Sequence, residues 1–208
     1  MVRRRNKKTI NFLQELVIKG WKFWNEGNRL RYRAPEEEST SEVLAQLKQH
    51  KVEIIKLLQE QPDVFNVHPL SHGQKALWLI WQLEPESAAY NQVFSARICS
   101  HLDVEKLRSA FLELVERHPC LRRTFPKFGE QPIQQIHQNF QLDFKNINAY
   151  SWDETELYSL VIGESKLPFD LEKEPIIRIR LFTISPSEHI LLFTIHHIAT
   201  EGWSLDII

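Results

Sequence analysis

Ile190-Leu191-Leu192-Phe193-Thr194-Ile195, followed by His196-His197-Ile198-Ala199-Thr200-Glu201-Gly202, is the stretch on which the reading of this chain turns. The apolar run predicts a strand covered on both faces. It leads directly into two adjacent histidines, an acid and a glycine. The end of a strand is where a rigid scaffold presents a loop residue to a cleft. Histidine is the side chain whose ordinary pKa best suits proton transfer near neutrality. Side chains alternate along a strand, so His196 and His197 cannot share one job: one points into packing and the other into the cleft. The plainer alternative is a pair of structural histidines satisfied by backbone. His197 and Glu201 are four residues apart, but there is no HExxH pattern and no third ligand, so no metal site is expected.

Working outward, Ile177-Arg178-Ile179-Arg180-Leu181 alternates cleanly and predicts a neighbouring strand. Ser151 with Glu154 predicts the start of a helix carrying Leu157, Leu160 and Val161. Asp103 caps an amphipathic helix with Leu107, Ala110, Phe111, Leu114 and Val115 on one face. Arg117-His118-Pro119 ends that helix, because the residue before a proline disfavours the α region. Strands are expected around Gln92–Ile98, Leu121–Phe125 and Ile133–Ile136, with a turn at Gly129. Ser71 and Gln74 form a capping box ahead of Leu77, Trp78, Ile80 and Trp81.

The first sixty residues read differently. Ile10, Leu13, Leu16 and Val17 recur at helical spacing, and Gly20 stops the helix. Trp21–Trp24 and Arg29–Arg33 then predict a β-hairpin around Asn25-Glu26-Gly27-Asn28, with Gly27 free to take a positive φ. Ser39 and Glu42 look like a capping box for a helix bearing Leu44 and Leu47, and Ile54, Ile55, Leu57 and Leu58 form another apolar stripe. The hairpin's second strand puts Arg29, Arg31 and Arg33 on one face, opposite Leu30 and Tyr32.

Composition sets bounds on all of this. At 208 residues, 42% hydrophobic and 25% charged, the chain is ordinary globular protein of one or two domains. No apolar run approaches a membrane span, and no secretory core follows the basic start. Two cysteines, Cys99 and Cys120, make no disulfide framework and fit the reducing cytoplasm. The net charge of −1 hides an asymmetry. Residues 1–62 carry 13 Lys+Arg against 8 Glu, and residues 63–208 carry 13 against 19 acids. With Gln61-Pro62 and a turn-prone stretch to Pro69, this predicts two units: 1–62 and 70–208, joined by a linker at 63–69. Arg3-Arg4-Arg5 and Lys7-Lys8 are read as a solvated terminus, because no nucleic-acid motif accompanies them.

Several of these stretches resemble a known family. His196-His197-Ile198-Ala199-Thr200-Glu201-Gly202 resembles the HHxxxDG signature of condensation domains in nonribosomal peptide synthetases. Ser71-His72-Gly73-Gln74-Lys75-Ala76-Leu77-Trp78 resembles that family's S-x-A-Q-x-R-L-W, and Arg117–Phe125 its R-H-E-x-L-R-T-x-F. Ala89-Tyr90-Asn91, Pro168-Phe169-Asp170-Leu171 and Pro175-Ile176-Ile177-Arg178 fit as well. Residues 9–60 resemble the TubC-type N-terminal docking domain, through Trp21, Trp24, Glu26-Gly27, Arg29–Pro35, His50-Lys51 and Ile54–Leu58.

The resemblance implies an α/β (α+β) protein. A small helix–β-hairpin–helix–helix docking domain would precede one chloramphenicol-acetyltransferase-like lobe, a mixed sheet with packed helices. It implies peptide-bond formation between thioesters held on the phosphopantetheine arms of carrier proteins, with no cofactor bound by the chain itself. His197 would be the catalytic histidine, with His196, Glu201 and Gly202 as supporting motif residues. The alternation of Arg29–Arg33, read as an edge strand, and the positive balance of residues 1–62 predict that Trp24, Arg29, Arg31 and Arg33 bind the acidic C-terminal tail of an upstream synthetase, with no nucleic-acid or membrane partner. Glu201 stands where the family has Asp, and Gly73 and Ala76 depart from the opening motif. The chain ends just past the signature, so one lobe of two is expected, inactive alone. Two alternatives remain open: a non-catalytic docking protein with a vestigial lobe, and an acyltransferase of the same fold using diffusible acyl-CoA. A docking unit argues against the latter, because a diffusible donor needs no protein dock.

Overall fold

The structure, a computed structural model, describes residues 2–200, with side chains from Lys7 onward. In chain order the elements are α1 (Val2–Ile18), β1 (Lys22–Glu26), β2 (Arg29–Arg33), α2 (Ser41–Gln49), α3 (Lys51–Glu60), β3 (Val67–Pro69), α4 (His72–Leu83), β4 (Asn91–Ile98) and α5 (Val104–Arg117). There follow β5 (Arg123–Thr124), β6 (Lys127–Phe128), β7 (Gln131–Ile136), β8 (Asp143–Asn148), α6 (Glu154–Ser165), β9 (Ile177–Ser185) and β10 (Glu188–His196). The chain divides into two compact units, one made of residues 1–70 with 126–138 and the other of the remainder.

The first unit has the expected helix–hairpin–helix–helix order. Leu13 and Leu16 of α1, Trp21, Leu47 of α2, and Ile54 and Leu57 of α3 form its core. The hairpin is in register from Lys22↔Arg33 to Glu26↔Arg29, which leaves a two-residue turn. Gly27 takes φ +59, a value that a side chain would strain. Thr9 Oγ1 donates to Glu53 Oε2 at 2.9 Å, tying α1 to the start of α3. The cap of α2 is not Ser39. Residues Glu36–Glu38 form a 3-10 turn, and Ser39 closes it by donating its N–H to Glu36 O. Thr40 is therefore the residue whose side chain accepts from Val43 N–H. In the same unit β7 pairs antiparallel with β3 and with β6.

The second unit is built on the expected mixed sheet; it has four strands in the order β4-β10-β9-β8. β10 lies antiparallel between β4 and β9, and β8 runs parallel to β9. Alternation divides its apolar side chains between two clusters. Ile177, Ile179 and Ile195 join Val115 of α5, with Leu121 and Leu142. Phe182, Ile190 and Leu192 join Leu157 and Val161 of α6, with Ala149. With apolar clusters on both faces, the central strand reads as a continuous hydrophobic run.

Two further expectations are corrected here, and one strand is new. Residues 119–122 form a 3-10 turn, and only Arg123–Thr124 is extended. Ser151 lies in a turn closed by Trp152 N–H to Ala149 O, so α6 is capped by Asp153, which makes the full capping box with Glu156. β8 was not anticipated. No helix among the described residues is long and apolar enough to cross a membrane.

Candidate functional site

The histidine pair sits where β10 ends. Thr194 and Ile195, opposite Val93 and Gln92, continue the ladder with β4 up to His196↔Asn91, and His197–Ala199 then turns in a single 3-10 turn. His196 is 3% exposed, whereas His197 is partly exposed: the two differ as alternation requires, and in the order that the resemblance implies. His196 is a structural residue. Its Nδ1 accepts from Ile198 N–H at 3.1 Å, and its ring lies edge-on to Phe169 and near Tyr90. Burial, with a smaller contribution from the neighbouring His197, pushes its pKa down to about 4, so it is neutral at physiological pH. The Nδ1 of His197 is buried and has no hydrogen-bond partner among the described residues. Glu201 and Gly202 lie outside the described residues.

The backbone that carries His197 is held from several sides. His197 N–H donates to Tyr90 O at 2.9 Å, and His196 N–H to Ile176 O at 3.0 Å. Gln74 Nε2 donates to Ile198 O at 3.1 Å. Thr200 Oγ1 donates to Gln92 Oε1 at 2.6 Å. Gln74, Trp78 and Trp81 recur at i, i+4 and i+7 on α4, so they share one helix face. All three donate to main-chain carbonyls: Gln74 to Ile198, Trp78 Nε1 to Phe125 at 2.8 Å, and Trp81 Nε1 to Phe169 at 2.9 Å. Gln74, Tyr90, Phe169 and Ile176, from four separate stretches singled out in the sequence, thus each touch residues 196–198.

Behind the loop lies a buried charged cluster that sequence reasoning missed. Arg180, 2% exposed, donates to both carboxylate oxygens of Asp143 on β8 at 2.9 Å and to Glu164 of α6 at 2.7 Å. Arg178, 6% exposed, donates to the carbonyls of Leu167 and Pro168 and lies 4.3 Å over the Phe169 ring, which in turn meets His196. Burial alone would raise the Asp143 carboxyl, but the Arg180 hydrogen bonds and charge outweigh it and hold the group below the usual carboxylate range. Two arginines inside an apolar strand were the available signal, because buried charges require partners. What could not be read was which acids supply them.

The second candidate surface is the hairpin of the first unit. Cross-strand register places Lys22 opposite Arg33, Trp24 opposite Arg31, and Glu26 opposite Arg29. All six share one face, so the sequence-predicted Trp24, Arg29, Arg31 and Arg33 lie together. Trp24 is 47% exposed, and Arg31 pairs with Glu26 at 2.7 Å. Leu30 and Phe23 turn to the other face and join the core. Among the described residues β2 pairs only with β1, which leaves one edge open.

Family models match the chain in two places: the condensation domain over residues 64–208, and the TubC N-terminal docking domain over residues 10–60. The chain belongs to the condensation-domain family. Its relatives are nonribosomal peptide synthetases. It is 36% identical to chondramide synthase of Chondromyces crocatus over 68% of its length, and 26% identical to bacitracin synthase 2 of Bacillus licheniformis over 96%. It spans only 4% and 8% of those two proteins. Among solved structures, a four-domain nonribosomal peptide synthetase bound to AMP and glycine matches 67% of this chain at 27% identity with a TM-score of 0.62; the match covers 11% of that chain. The starter condensation domain of rhizomide synthetase matches 68% of this chain at 19% identity and a TM-score of 0.62, which shows shared fold; the match covers 36% of that chain. The chain therefore couples a TubC-type docking domain to condensation-domain sequence.

Proposed function

We propose that this chain is the docking and histidine-bearing front of a condensation domain that joins two carrier-bound acyl groups through an amide bond. The observation that carries this reading is the histidine pair itself. His196 is buried, neutral and bonded to the backbone, while His197 is partly exposed at the end of a strand held on every side. In the reaction, the amine of a downstream aminoacyl thioester attacks the carbonyl carbon of an upstream thioester. The C–N bond forms, the C–S bond breaks, and the phosphopantetheine thiolate leaves. His197 accepts the proton that the amine loses, or orients the amine for attack, and the proton ends on the departing sulfur. Both substrates arrive on phosphopantetheine arms of carrier proteins in the cytoplasm, and the chain needs no metal or bound cofactor of its own.

The match covers 36% of the solved rhizomide starter condensation domain, and in this reading the rest of such a domain completes both substrate sites. Upstream, the open edge of β2 accepts the acidic, extended C-terminal tail of a partner synthetase by strand addition. Arg29, Arg31, Arg33 and Trp24 lie beside that edge.

The deciding experiment is single-turnover condensation by a complete two-lobed domain containing this sequence, with both carriers loaded. His197→Ala lowers the rate about 100-fold or more, the scale of a lost acid–base group. Unchanged turnover refutes the catalytic role. Glu201, standing where the family has Asp, favours one other reading: a docking protein whose lobe is silent. Absence of any turnover in the unmutated domain supports that reading instead.

A further inference from the structure

We propose that Gln74 is a positioning residue for His197, acting through the Ile198 peptide; the inference rests on the catalytic reading of His197 above. The 3-10 turn at 197–199 is a single turn, and its closing bond, Thr200 N–H to His197 O, is long at 3.3 Å. So short a turn has little internal hold on its pitch, and external bonds fix the direction in which His197 projects. Ile198 is gripped on both sides of its backbone. Its N–H donates to His196 Nδ1 and its C=O accepts from Gln74 Nε2.

The Gln74 amide is itself fixed. Its Oε1 accepts from Ser71 N–H at 3.0 Å, while its own backbone N–H donates to Ser71 Oγ at 3.2 Å. One side chain therefore closes the N-terminal cap of α4 with its oxygen and holds the histidine loop with its nitrogen. α4 cannot easily shift under this load, because Trp78 and Trp81 anchor the same face to Phe125 and Phe169. An error of about an ångström in a catalytic group costs on the order of 100-fold in rate, so the precision of this hold bears directly on turnover.

The two halves of the amide can be separated experimentally. Gln74→Glu keeps the length and the capping acceptor, since Glu and Gln serve equally in a capping box. It replaces the donor to Ile198 with an acceptor, and the two oxygens then repel. Gln74→Ala removes both functions. In the full chain labelled at histidine and followed by NMR, Gln74→Glu lowers thermal stability less than Gln74→Ala does, because the capping acceptor is kept. It moves the His197 ring resonances and speeds Ile198 amide exchange tenfold or more. In a complete two-lobed domain it lowers kcat tenfold or more with KM within twofold of wild type. Gln74→Ala shows the same changes and also unfolds more easily. If Gln74→Glu reproduces the wild-type ring resonances and exchange, or moves them with kcat unchanged, the positioning role is wrong and Gln74 is only a cap. The control is His197→Ala. If that variant turns over normally, the catalytic reading fails, whereas a loss there with none in Gln74→Glu overturns the positioning inference alone.

Discussion

β2 and β10 both lead into residues with chemistry to offer, and they are built in opposite ways. β2 has five residues, one paired neighbour and mostly exposed side chains. β10 has nine residues, a neighbour on each side and a mostly buried sequence. At β2 the polar side chains face solvent and the backbone edge is unpaired, which suits a surface that recruits a flexible guest. At β10 the main-chain groups of residues 196–198 are bonded to three other segments, which suits a site that must hold one side chain still. Recruitment tolerates loose geometry because the guest adapts, and chemistry does not.

The strongest way to break this contrast is to remove what fixes the second region. Arg180→Ala strips the partner from Asp143 and Glu164 in a largely buried cluster. It should destabilise the second unit by about 3 kcal/mol in urea denaturation, because Glu164 loses its arginine, while Arg178, 3.4 Å from Asp143, still compensates that acid. A loss under about 1 kcal/mol would mean that water replaces the arginine and that the region is no more rigid than the hairpin.

A second test uses pH. The folded pKa of His196, about 4, lies below the ordinary 6.5. The unfolded chain therefore binds a proton first, and the contribution of His196 is fully present above about pH 6.5. It is lost as the pH falls from there to about 4, by about 3 kcal/mol at most at 1.36 kcal/mol per pH unit. His196→Asn keeps an acceptor for Ile198 N–H without the titration, so its stability should fall less over that window. Equal slopes for the two proteins would place His196 in solvent.

The smallest effect belongs to the hairpin. Arg29→Glu with Arg31→Glu should weaken binding of an acidic tail peptide tenfold or more, about 1.4 kcal/mol. Thermal stability should fall only modestly, by about 1 kcal/mol, because the reversal turns the exposed contacts of Arg29 and Arg31 with Glu26 into repulsions. Binding should also weaken with salt, because exposed charges are screened over about 8 Å at physiological ionic strength. Salt-indifferent affinity, or no effect of the reversal, would remove the charge from the account.

What the sequence disclosed follows the same division. Local patterns were readable wherever the signal is local. The hairpin, the caps at Ser71 and Asp103, and the strands around 92–98 and 190–195 all appear where alternation and capping residues place them. Where two residues competed for one cap, reading failed by a step. Ser151 and Asp153 each precede a glutamate by three, and a turn from Ala149 had already claimed the serine. β8 was invisible because Asp143-Phe144-Lys145-Asn146-Ile147-Asn148 is rich in residues that avoid strands. Its place is set by parallel pairing with β9 and by Arg180, neither of which is local. At the site, alternation required the two histidines to differ in burial, and the resemblance gave the order, whereas the hold by Gln74 joins residues 124 positions apart.

The hairpin at 126–138 bears on how such synthetases are recombined. It belongs to the same compact unit as residues 1–70, so the polypeptide enters and leaves that unit more than once. Asp63 accepts from Gln138 N–H, Asn66 O from Ile136 N–H, and Val67–Pro69 pairs with β7. A splice point chosen after residue 70, to transplant a docking domain, would carry β3 away and leave β7 with a bare edge open to aggregation. A junction at the end of α3, near Glu60–Gln61, leaves that pairing intact and moves only the residues that the docking module itself requires.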